Sequence, residues 1–445
     1  MLKSVVLAFD KLFNACFSCC VSAKLLVTCC LCFLFLQNGF AQTTHQIDSV
    51  YFEGVKRTKL SFLKGFLNDL VGKTPSEEEL KAEVQKLKNI PGIGNAAYRI
   101  EKTDKATHIV FIVEEQQTLL PIVNFGGIKD NIFFRLGAYD INWRGRGELL
   151  SLNYQNTDQR HGGQLYYRVP FFRSSQWGFS ASLARLASRE PLYFNEGEVT
   201  YLYDNNSAAF TIIRNFGINR NIEIGATYFQ EKYKKTEDQQ LDNPPGPDNF
   251  KQPKWLMKWS YRTNFINYDY IYRTGYSWQL LFQNVYNTVY GDWFNSLQLQ
   301  GRRYYKFGNW GNLAMRLHFA IATNNDSPFA PFVVDSHVNL RGSGNRIDRG
   351  TAQAVYNLEY RQTVFTTGNK HWAGQVVAFS DLGAWRNPGG NLEDLVDPEL
   401  LRHYLGGGVR IIYQKVYSAV LRIDYGVDVF HQRSRGWVIG LGQYF

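Results

Sequence analysis

Cysteine is absent from residues 33–445, because all 6 cysteines of the 445-residue chain lie between Cys16 and Cys32. That absence excludes a disulfide framework, a thiolate metal site and a cysteine nucleophile from everything that follows. Long apolar runs are also missing after Ala41, where no stretch approaches the roughly 18 apolar residues of a transmembrane helix. The sequence beyond residue 41 therefore predicts neither a disulfide-stabilised secreted domain nor a helical membrane protein.

Ligand spacings and catalytic motifs are missing as well. The histidines of the second half show no metal-ligand spacing; they are His318, His337, His371, His403 and His431. The glycine clusters at 342–344 and 406–408 lack the strand-to-helix pattern of a nucleophile elbow or a phosphate loop. The net charge of +10 is spread along the chain without a basic helix or stripe, which argues against a nucleic-acid partner. We predict no enzyme, no cofactor and no metal.

The first 41 residues have the features of a targeting segment. Lys3, Lys11 and Lys24 supply positive charge, and an apolar run extends from Leu25 to Leu36. Small residues precede a cleavage point after Ala41, which predicts a signal peptide over 1–41. The alternative, an uncleaved anchor, is disfavoured because the apolar run is too short to cross a bilayer.

Aromatic residues are abundant, at 16% of the chain, and they follow a period of two in several segments. From Trp437 to Phe445, residues Trp437, Ile439, Leu441 and Phe445 fall on one face. The same alternation recurs over 313–321, 354–361 and 419–429, where the opposite faces carry arginine, aspartate and glutamate. Apolar groups facing lipid and charged groups facing a wet lumen are typical of a transmembrane β-barrel. A soluble sandwich also alternates, but it does not need charges on its core face.

The predicted barrel occupies residues 119–445. Strands of ~9–11 residues with their connections give about 16 antiparallel strands. The polar, proline-rich segment Lys234 to Lys254 is predicted as a long extracellular loop, and Asn387 to Glu399 as a second one. The fold class is therefore mainly β.

Residues 42–118 follow a different pattern. A strand over Ile47–Phe52 precedes a helix over Leu60–Leu70, and Thr74 or Ser76 starts a second helix. Glu77, Glu78 and Glu79 are read as the start of that helix, where acids favour its positive end, rather than as a catalytic group. Two further strands follow, over Tyr98–Glu101 and His108–Glu114. The predicted order is β-α-α-β-β.

This N-terminal segment resembles a POTRA domain, the periplasmic module of outer-membrane assembly and secretion proteins. The resemblance is carried by Glu53-Gly54 after the first strand, by Val71-Gly72-Lys73-Thr74-Pro75 between the helices, and by the closing Phe111–Glu115. It implies a module that binds extended client polypeptides by adding a strand to its sheet. The alternative is a spacer or a plug.

The C-terminal region resembles the BamA/TamA-like barrel superfamily, which includes two-partner secretion transporters. The matching motifs are Leu136–Gly147, Val338–Gly344 with Arg346 to Gly350, Asn357–Arg361, Ala378–Trp385, Gly406–Arg410 and Leu421–Gly426. The resemblance covers nearly all of the chain after residue 41. It implies a barrel in the bacterial outer membrane with the POTRA domain in the periplasm.

The resemblance also implies an internal loop that carries an Arg-Gly motif and pairs with acids on neighbouring strands. The matching arginine is Arg341, followed by Gly342 and Gly344, and the matching acids are Glu359 and Asp381. A guanidinium presents its donors in a rigid fork suited to a carboxylate. Ser343 stands where many members of the superfamily carry an aromatic residue.

In insertases of this type the first and last strands pair weakly and open sideways. The candidate first strand, Ile122 to Gly127, ends in Gly126-Gly127, and the last strand contains Gly440, Gly442 and Phe445. Glycine weakens a strand and supplies no cross-strand packing, so a fragile seam is predicted between them.

The resemblance implies a protein that inserts or translocates client polypeptides at the outer membrane. Its expected partners are outer-membrane lipid, the clients held by the POTRA domain, and accessory outer-membrane or periplasmic subunits. The alternatives are a passive channel and a non-transporting structural subunit of a larger outer-membrane complex. A single POTRA domain favours a narrower task than that of general assembly factors.

Overall fold

The computed structural model describes residues 46–128, 131–157, 160–172, 175–237, 242–344, 348–432 and 434–445. The predicted signal peptide over 1–41 and Arg346 lie outside these residues. Within them, none of the helices combines the length and the apolar character that crossing a membrane requires.

The N-terminal module contains three strands and two helices. They are β1 (Ser49–Glu53), α1 (Leu60–Lys64), α2 (Glu77–Lys88), β2 (Ile93–Lys102) and β3 (Thr107–Glu115). Strand β3 lies in the middle of the sheet, parallel to β1 and antiparallel to β2. The predicted β-α-α-β-β order is confirmed, but α1 ends at Lys64 rather than at Leu70. Gly65 follows it directly, and glycine is a poor helix former.

Two local features set the geometry of this module. Ser76 caps α2, because its hydroxyl accepts the backbone N–H of Glu79 and the Glu79 carboxylate accepts that of Ser76 at 2.8 Å. This selects Ser76 over Thr74 as the start of the second helix. Leu63 and Leu87 pack beside Ile109 and Phe111 of the central strand, all fully buried. The module therefore has a hydrophobic core of its own.

The second region is one large antiparallel sheet. Its strands are β4 (Leu119–Ile128), β5 (Asn131–Trp143), β6 (Glu148–Thr157), β7 (Arg160–Val169), β8 (Trp177–Phe194), β9 (Gly197–Asn215), β10 (Arg220–Lys235), β11 (Asn249–Asp269), β12 (Tyr272–Asn287), β13 (Asp292–Phe307), β14 (Gly311–Ala322), β17 (Ala352–Thr366), β18 (Trp372–Arg386), β19 (Arg402–Tyr413), β20 (Val420–Asp428) and β21 (Arg435–Leu441). The 16 strands are hydrogen-bonded in chain order from β4 to β21. This confirms the predicted fold class and strand number.

Two short strands lie outside the large sheet. β15 (Phe332–Val334) and β16 (Asp348–Gly350) pair with each other inside the long connection between β14 and β17. A 3-10 turn, Leu392–Leu395, lies in the connection between β18 and β19, which was predicted as a loop.

The period-two pattern gives the two faces of the sheet opposite environments. On β14, Phe319 is 47% exposed whereas Arg316 is 7% exposed. The exposed face carries apolar and aromatic side chains along most strands, and the buried face carries charged ones. A barrel with a polar interior and an apolar outer surface has this arrangement.

The proline-rich connection between β10 and β11 is shorter than the predicted Lys234–Lys254 loop. β10 continues to Lys235 and β11 begins at Asn249. Side-chain pairs extend the ladder: Tyr233 stacks on Phe250 with ring centroids 4.5 Å apart, and Lys254 bonds Glu231 at 2.5 Å. Cross-strand side-chain pairs of this kind stabilise a ladder even where the local amino-acid sequence favours a turn.

The end of the chain also differs from the prediction. β21 stops at Leu441, and Gly442 has a φ of +87°, a conformation that favours glycine. Phe445 was predicted to face outward on the last strand, but it is 5% exposed and packs inside with Tyr444. Residues 442–445 therefore turn away from the wall of the barrel, and we call them the inward segment.

The segment just before β4 is bonded to the last strands of the 16-stranded sheet. Among the described residues, no ladder joins β4 to β21. Instead the N–H of Gln117 donates to the carbonyl oxygen of Lys415 at 2.8 Å, and its own carbonyl accepts the N–H of Tyr417 at 2.9 Å. Residues 415–417 belong to the turn between β19 and β20, so this short parallel bridge joins the segment before β4 to the last strands of the sheet.

The module is tied to the start of the barrel by a small polar network. The Arg57 guanidinium forms an ion pair with Asp140 of β5 and donates to the Thr118 hydroxyl at 3.0 Å. Thr118 in turn donates to Asp140 at 2.8 Å. The segment around Arg57 is itself held by Glu115, whose carboxylate accepts the backbone N–H groups of Lys56 at 2.9 Å and Thr58 at 2.8 Å.

We expect Glu115→Gln to destabilise this connection by about 1 kcal/mol, because a half-buried carboxylate loses hydrogen bonds that depend on its charge. Burial raises the pKa of Glu115, but hydrogen bonds from Thr58 and from backbone N–H groups outweigh it and leave the pKa below the ordinary 4.5. The stabilisation is therefore complete above pH 4.5 and is lost as the pH falls through the lowered value. Thermal unfolding between pH 3 and pH 7 measures this.

The matched control for that experiment is Glu114→Gln, at an exposed neighbouring carboxylate. It should leave the unfolding temperature unchanged at every pH. An equal loss of stability in both variants would mean that the hydrogen bonds to Glu115 do not hold the connection.

Candidate functional site

The loop between β14 and β17, residues 323–351, carries the predicted Arg-Gly motif into the interior of the barrel. Polar contacts fix its course. The Asn339 side chain donates to the carbonyl oxygen of Val333 at 2.7 Å and accepts the N–H of Asp335 at 2.8 Å. From the wall, Arg316 donates to the carbonyl oxygen of Val338 at 2.7 Å. The loop leading to residue 341 is thus held both by contacts within itself and by the wall.

Arg341 lies at this tip with 0% of its surface exposed. Its Nε donates to Asp381 Oδ2 at 2.8 Å and its Nη2 to Asp381 Oδ1 at 2.9 Å, a two-pronged contact with a residue of β18. Its Nη1 bonds Glu359 of β17, and its backbone N–H also donates to Asp381 at 3.0 Å. The structure thus brings Arg341, Glu359 and Asp381 together.

Aromatic rings contact the same guanidinium. The Cζ of Arg341 lies 3.6 Å from the ring centroid of Phe379 and 4.3 Å from that of Tyr444. Ser343, in the place of the aromatic that many superfamily members carry, is 3% exposed and supplies no ring of its own. The aromatic environment of Arg341 therefore comes from β18 and from the inward segment, and favours a buried cation.

The network extends beyond the residues that the sequence indicated. Arg361 bonds Glu359 Oε1 at 2.5 Å, and Arg410 of β19 bonds Asp424 of β20 at 2.6 Å and Glu359 at 3.2 Å. All three added residues are at most 1% exposed. They were missed because they lie inside the recognised motifs as ordinary strand residues. The sequence did contain a signal for Arg361. Glu359 and Arg361 are two residues apart on one strand, so their side chains face the same side of the sheet.

Every carboxylate of this network has more than one cationic or amide partner. Asp381, for example, also accepts from the Asn357 amide at 2.7 Å. Fully buried charges are tolerated only with such compensation, and removing one partner costs far more than the pair contributes. The network therefore fixes the position of the loop tip more than it adds to overall stability.

Two glycines allow the loop tip to touch the wall. Gly342 has a φ of +93°, and its backbone lies directly against Gly426 of β20. A Cβ added to Gly426 would be 2.2 Å from the carbonyl oxygen of Arg341. Gly426 was part of a recognised motif but was not predicted as a site residue.

We expect Gly426→Ala to displace the loop tip and to lower stability by roughly 1–3 kcal/mol, as for other overpacked positions. Gly436→Ala on the adjacent strand is the control, because its Cβ would be 3.9 Å from the nearest atom, the carbonyl oxygen of Gly342. The temperature at which the folded gel band converts to the unfolded one measures both. Equal temperatures for the two variants would contradict the close approach.

The predicted seam glycines occupy separate places. Gly126 and Gly127 belong to β4, opposite Phe133 and Ile132 of β5. Gly440 belongs to β21 and is paired with Arg422 of β20. Gly442 lies beyond the end of β21, and Gly344, with a φ of +116°, ends the loop tip. The described part of the chain contains no cluster of histidine and acidic side chains suited to a metal.

Comparison with known proteins adds to this geometry. Residues 142–445, more than half of the chain, match the model of the Omp85 superfamily domain. The chain belongs to the Omp85 superfamily. This family membership supports the predicted BamA/TamA-like assignment. Members of this superfamily are transporters and assembly factors rather than enzymes, and they insert or secrete proteins at the bacterial outer membrane.

Solved structures with the same fold are distant in sequence. BamA from Haemophilus ducreyi lacking POTRA domains 1-3 is 14% identical, with a TM-score of 0.52 over 89% of this chain and 83% of that one. CdiB from Acinetobacter baumannii is 12% identical, with a TM-score of 0.53 over 90% and 74%. CdiB from Escherichia coli is 8% identical, with a TM-score of 0.56 over 88% and 75%. No curated protein matches the sequence. These likenesses establish the fold.

Proposed function

We propose that this Omp85 protein handles client polypeptides, inserting them into the outer membrane or translocating them, by non-covalent means and without enzyme activity. The observation that carries the proposal is the junction of β4 and β21. In the described residues no ladder joins β4 to β21, and the segment before β4 is bonded to the turn between β19 and β20 through the Gln117 bridge. A wall held by so few backbone bonds needs little energy to open at this point, because each net hydrogen bond contributes only about 1 kcal/mol.

The proposed capture element is the N-terminal module, assigned to residues 42–118 and to the periplasm, with the barrel over 119–445. Strand β2 is an edge of its three-stranded sheet. Ile100 on that strand is 45% exposed, and most residues from Ala97 to Lys102 are exposed. An exposed edge strand can pair with an extended polypeptide through backbone hydrogen bonds.

A passive channel is the second candidate, and the interior of the barrel argues against it. The loop carrying Arg341 and the side chains of Glu359, Arg361 and Arg410 are buried together inside the wall. A lumen filled in this way favours a gated or plugged protein. The third candidate, a structural subunit without transport, differs only in having no client.

The experiment is reconstitution in lipid vesicles with an unfolded outer-membrane barrel protein as client. A photo-crosslinking residue at Ile100 should capture the client, whereas one at Lys81, on the helix of the same module, should not. Insertion is followed by the heat-dependent gel mobility of the client. If the client folded no faster than in empty vesicles and no adduct formed at Ile100, polypeptide handling would be excluded. Steady ion conductance would in that case indicate a channel, and its absence would leave the structural role.

A further inference from the structure

The inward segment, residues 442–445, makes its contacts inside the barrel rather than in the wall. It leaves the wall after Leu441, where the N–H of Gly442 still donates to the carbonyl oxygen of Val420 at 2.7 Å. Beyond that bond, Tyr444 is 8% exposed and Phe445 is 5% exposed. The segment is therefore enclosed by the barrel, not a frayed strand end.

Its first anchor is the internal loop. The Tyr444 hydroxyl donates to the carbonyl oxygen of Ser336 at 3.0 Å. The Tyr444 ring lies under three guanidinium groups, with Cζ-to-centroid distances of 4.3 Å for Arg341, 4.9 Å for Arg422 and 5.7 Å for Arg316. One side chain of this segment thus contacts both the loop and the wall strands that face it.

Its second anchor is the far wall. Tyr444 and Phe445 form a hydrophobic cluster with Ile266 of β11, Tyr304 of β13 and Ala314 of β14. In the strand order β11 lies halfway around the sheet from β21. The main-chain oxygen of Phe445 accepts from Arg273 of β12 and from Arg361 of β17, both at 3.2 Å. The segment therefore reaches across the interior from the last strand.

We propose that the inward segment is a lumenal latch, which blocks the interior of the barrel and couples the position of β21 to that of the loop carrying Arg341. Two physical consequences follow. Any movement of β21 out of the wall pulls on the ring that stacks on Arg341. Conversely, withdrawal of the loop removes the acceptor of the Tyr444 hydroxyl and exposes the aromatic pair.

The test is ion conductance of the full chain in planar bilayers with potassium chloride, a readout that does not depend on any client. The double variant Tyr444→Ala with Phe445→Ala should open about tenfold more often, because losing desolvated cation–π contacts shifts an equilibrium by roughly that factor. Tyr444→Phe keeps the ring and should remain close to the unaltered protein. Trp437→Ala, an aromatic 69% exposed on the outer face of β21, is the control and should also remain closed.

Folded gel mobility shows that each variant has assembled. Where the double variant fails to assemble, Tyr444→Leu is used instead, because it retains apolar volume but loses the ring and the hydroxyl. More frequent openings in the assembled variant support the latch. Unchanged conductance in the assembled variant overturns it, whether or not the protein handles polypeptides.

Discussion

Arg341→Ala is expected to lower the temperature at which the folded protein converts to its unfolded gel band and to abolish most of its activity. The substitution leaves Asp381 with the Asn357 amide but without its buried cation. Removing one partner from a buried ion pair costs about 3–5 kcal/mol, because the remaining charge stays desolvated. Glu359 is affected less, since Arg361 and Arg410 still contact it.

Two further variants separate the charge of Arg341 from its shape. Arg341→Lys keeps a cation but loses the fork that meets both oxygens of Asp381, so it should fall between alanine and arginine. Arg185→Ala, at an exposed arginine of β8, should behave as the unaltered protein does. A conversion temperature and client folding rate unchanged in Arg341→Ala would show that the network does not hold the loop.

The barrel could be predicted because its signal is repeated. Each strand carries the same alternation, as in Phe319 outside and Arg316 inside, and the physical cause is one bilayer surrounding one polar interior. The capped start of α2 was predictable for a related reason, since Ser76 and Glu79 interact within a single turn. Local and repeated interactions leave their pattern in the sequence.

The interior could be predicted only in part. Arg341, Glu359 and Asp381 were indicated by a family resemblance, whereas Arg410 and Asp424 meet them from strands that are distant in the chain. The prediction that the Phe445 side chain faces outward was wrong. It was made because the alternation of apolar residues along β21 continues to residue 445 in the sequence. Its position depends on a turn at Gly442 and on a hydrophobic cluster from β11, β13 and β14, which no period in the sequence reveals.

The loop and the junction of β4 and β21 form a connected system. Arg341 is bonded to β17 and β18, its carbonyl oxygen touches Gly426 of β20, and its guanidinium stacks on Tyr444 beyond β21. The last strands are therefore held together from inside the barrel as well as by their ladders. A release of the loop would weaken the same side of the barrel where the ladder to β4 is missing from the described residues.

Locking that side is expected to stop client insertion almost completely. Gln117 and Val416 are partners in the bridge between the segment before β4 and the turn between β19 and β20, so a disulfide between cysteines at these positions would hold that contact closed. The chain has no other cysteine after residue 32, so a protein made without residues 1–41 carries no cysteine that competes with the engineered pair. Oxidised protein should fold its client no faster than empty vesicles do, and reduction should restore the activity.

The same chemistry on one side of the junction provides the control. Leu421 and Leu441 are register partners on β20 and β21, so a disulfide between them reinforces an existing ladder and leaves the bridge at Gln117 free to open. That variant should insert its client when oxidised. If the Gln117–Val416 variant were fully cross-linked and still active, client insertion would not require the segment before β4 to separate from the turn between β19 and β20. Both variants should leave the folded gel band intact, since neither alters the network around Arg341.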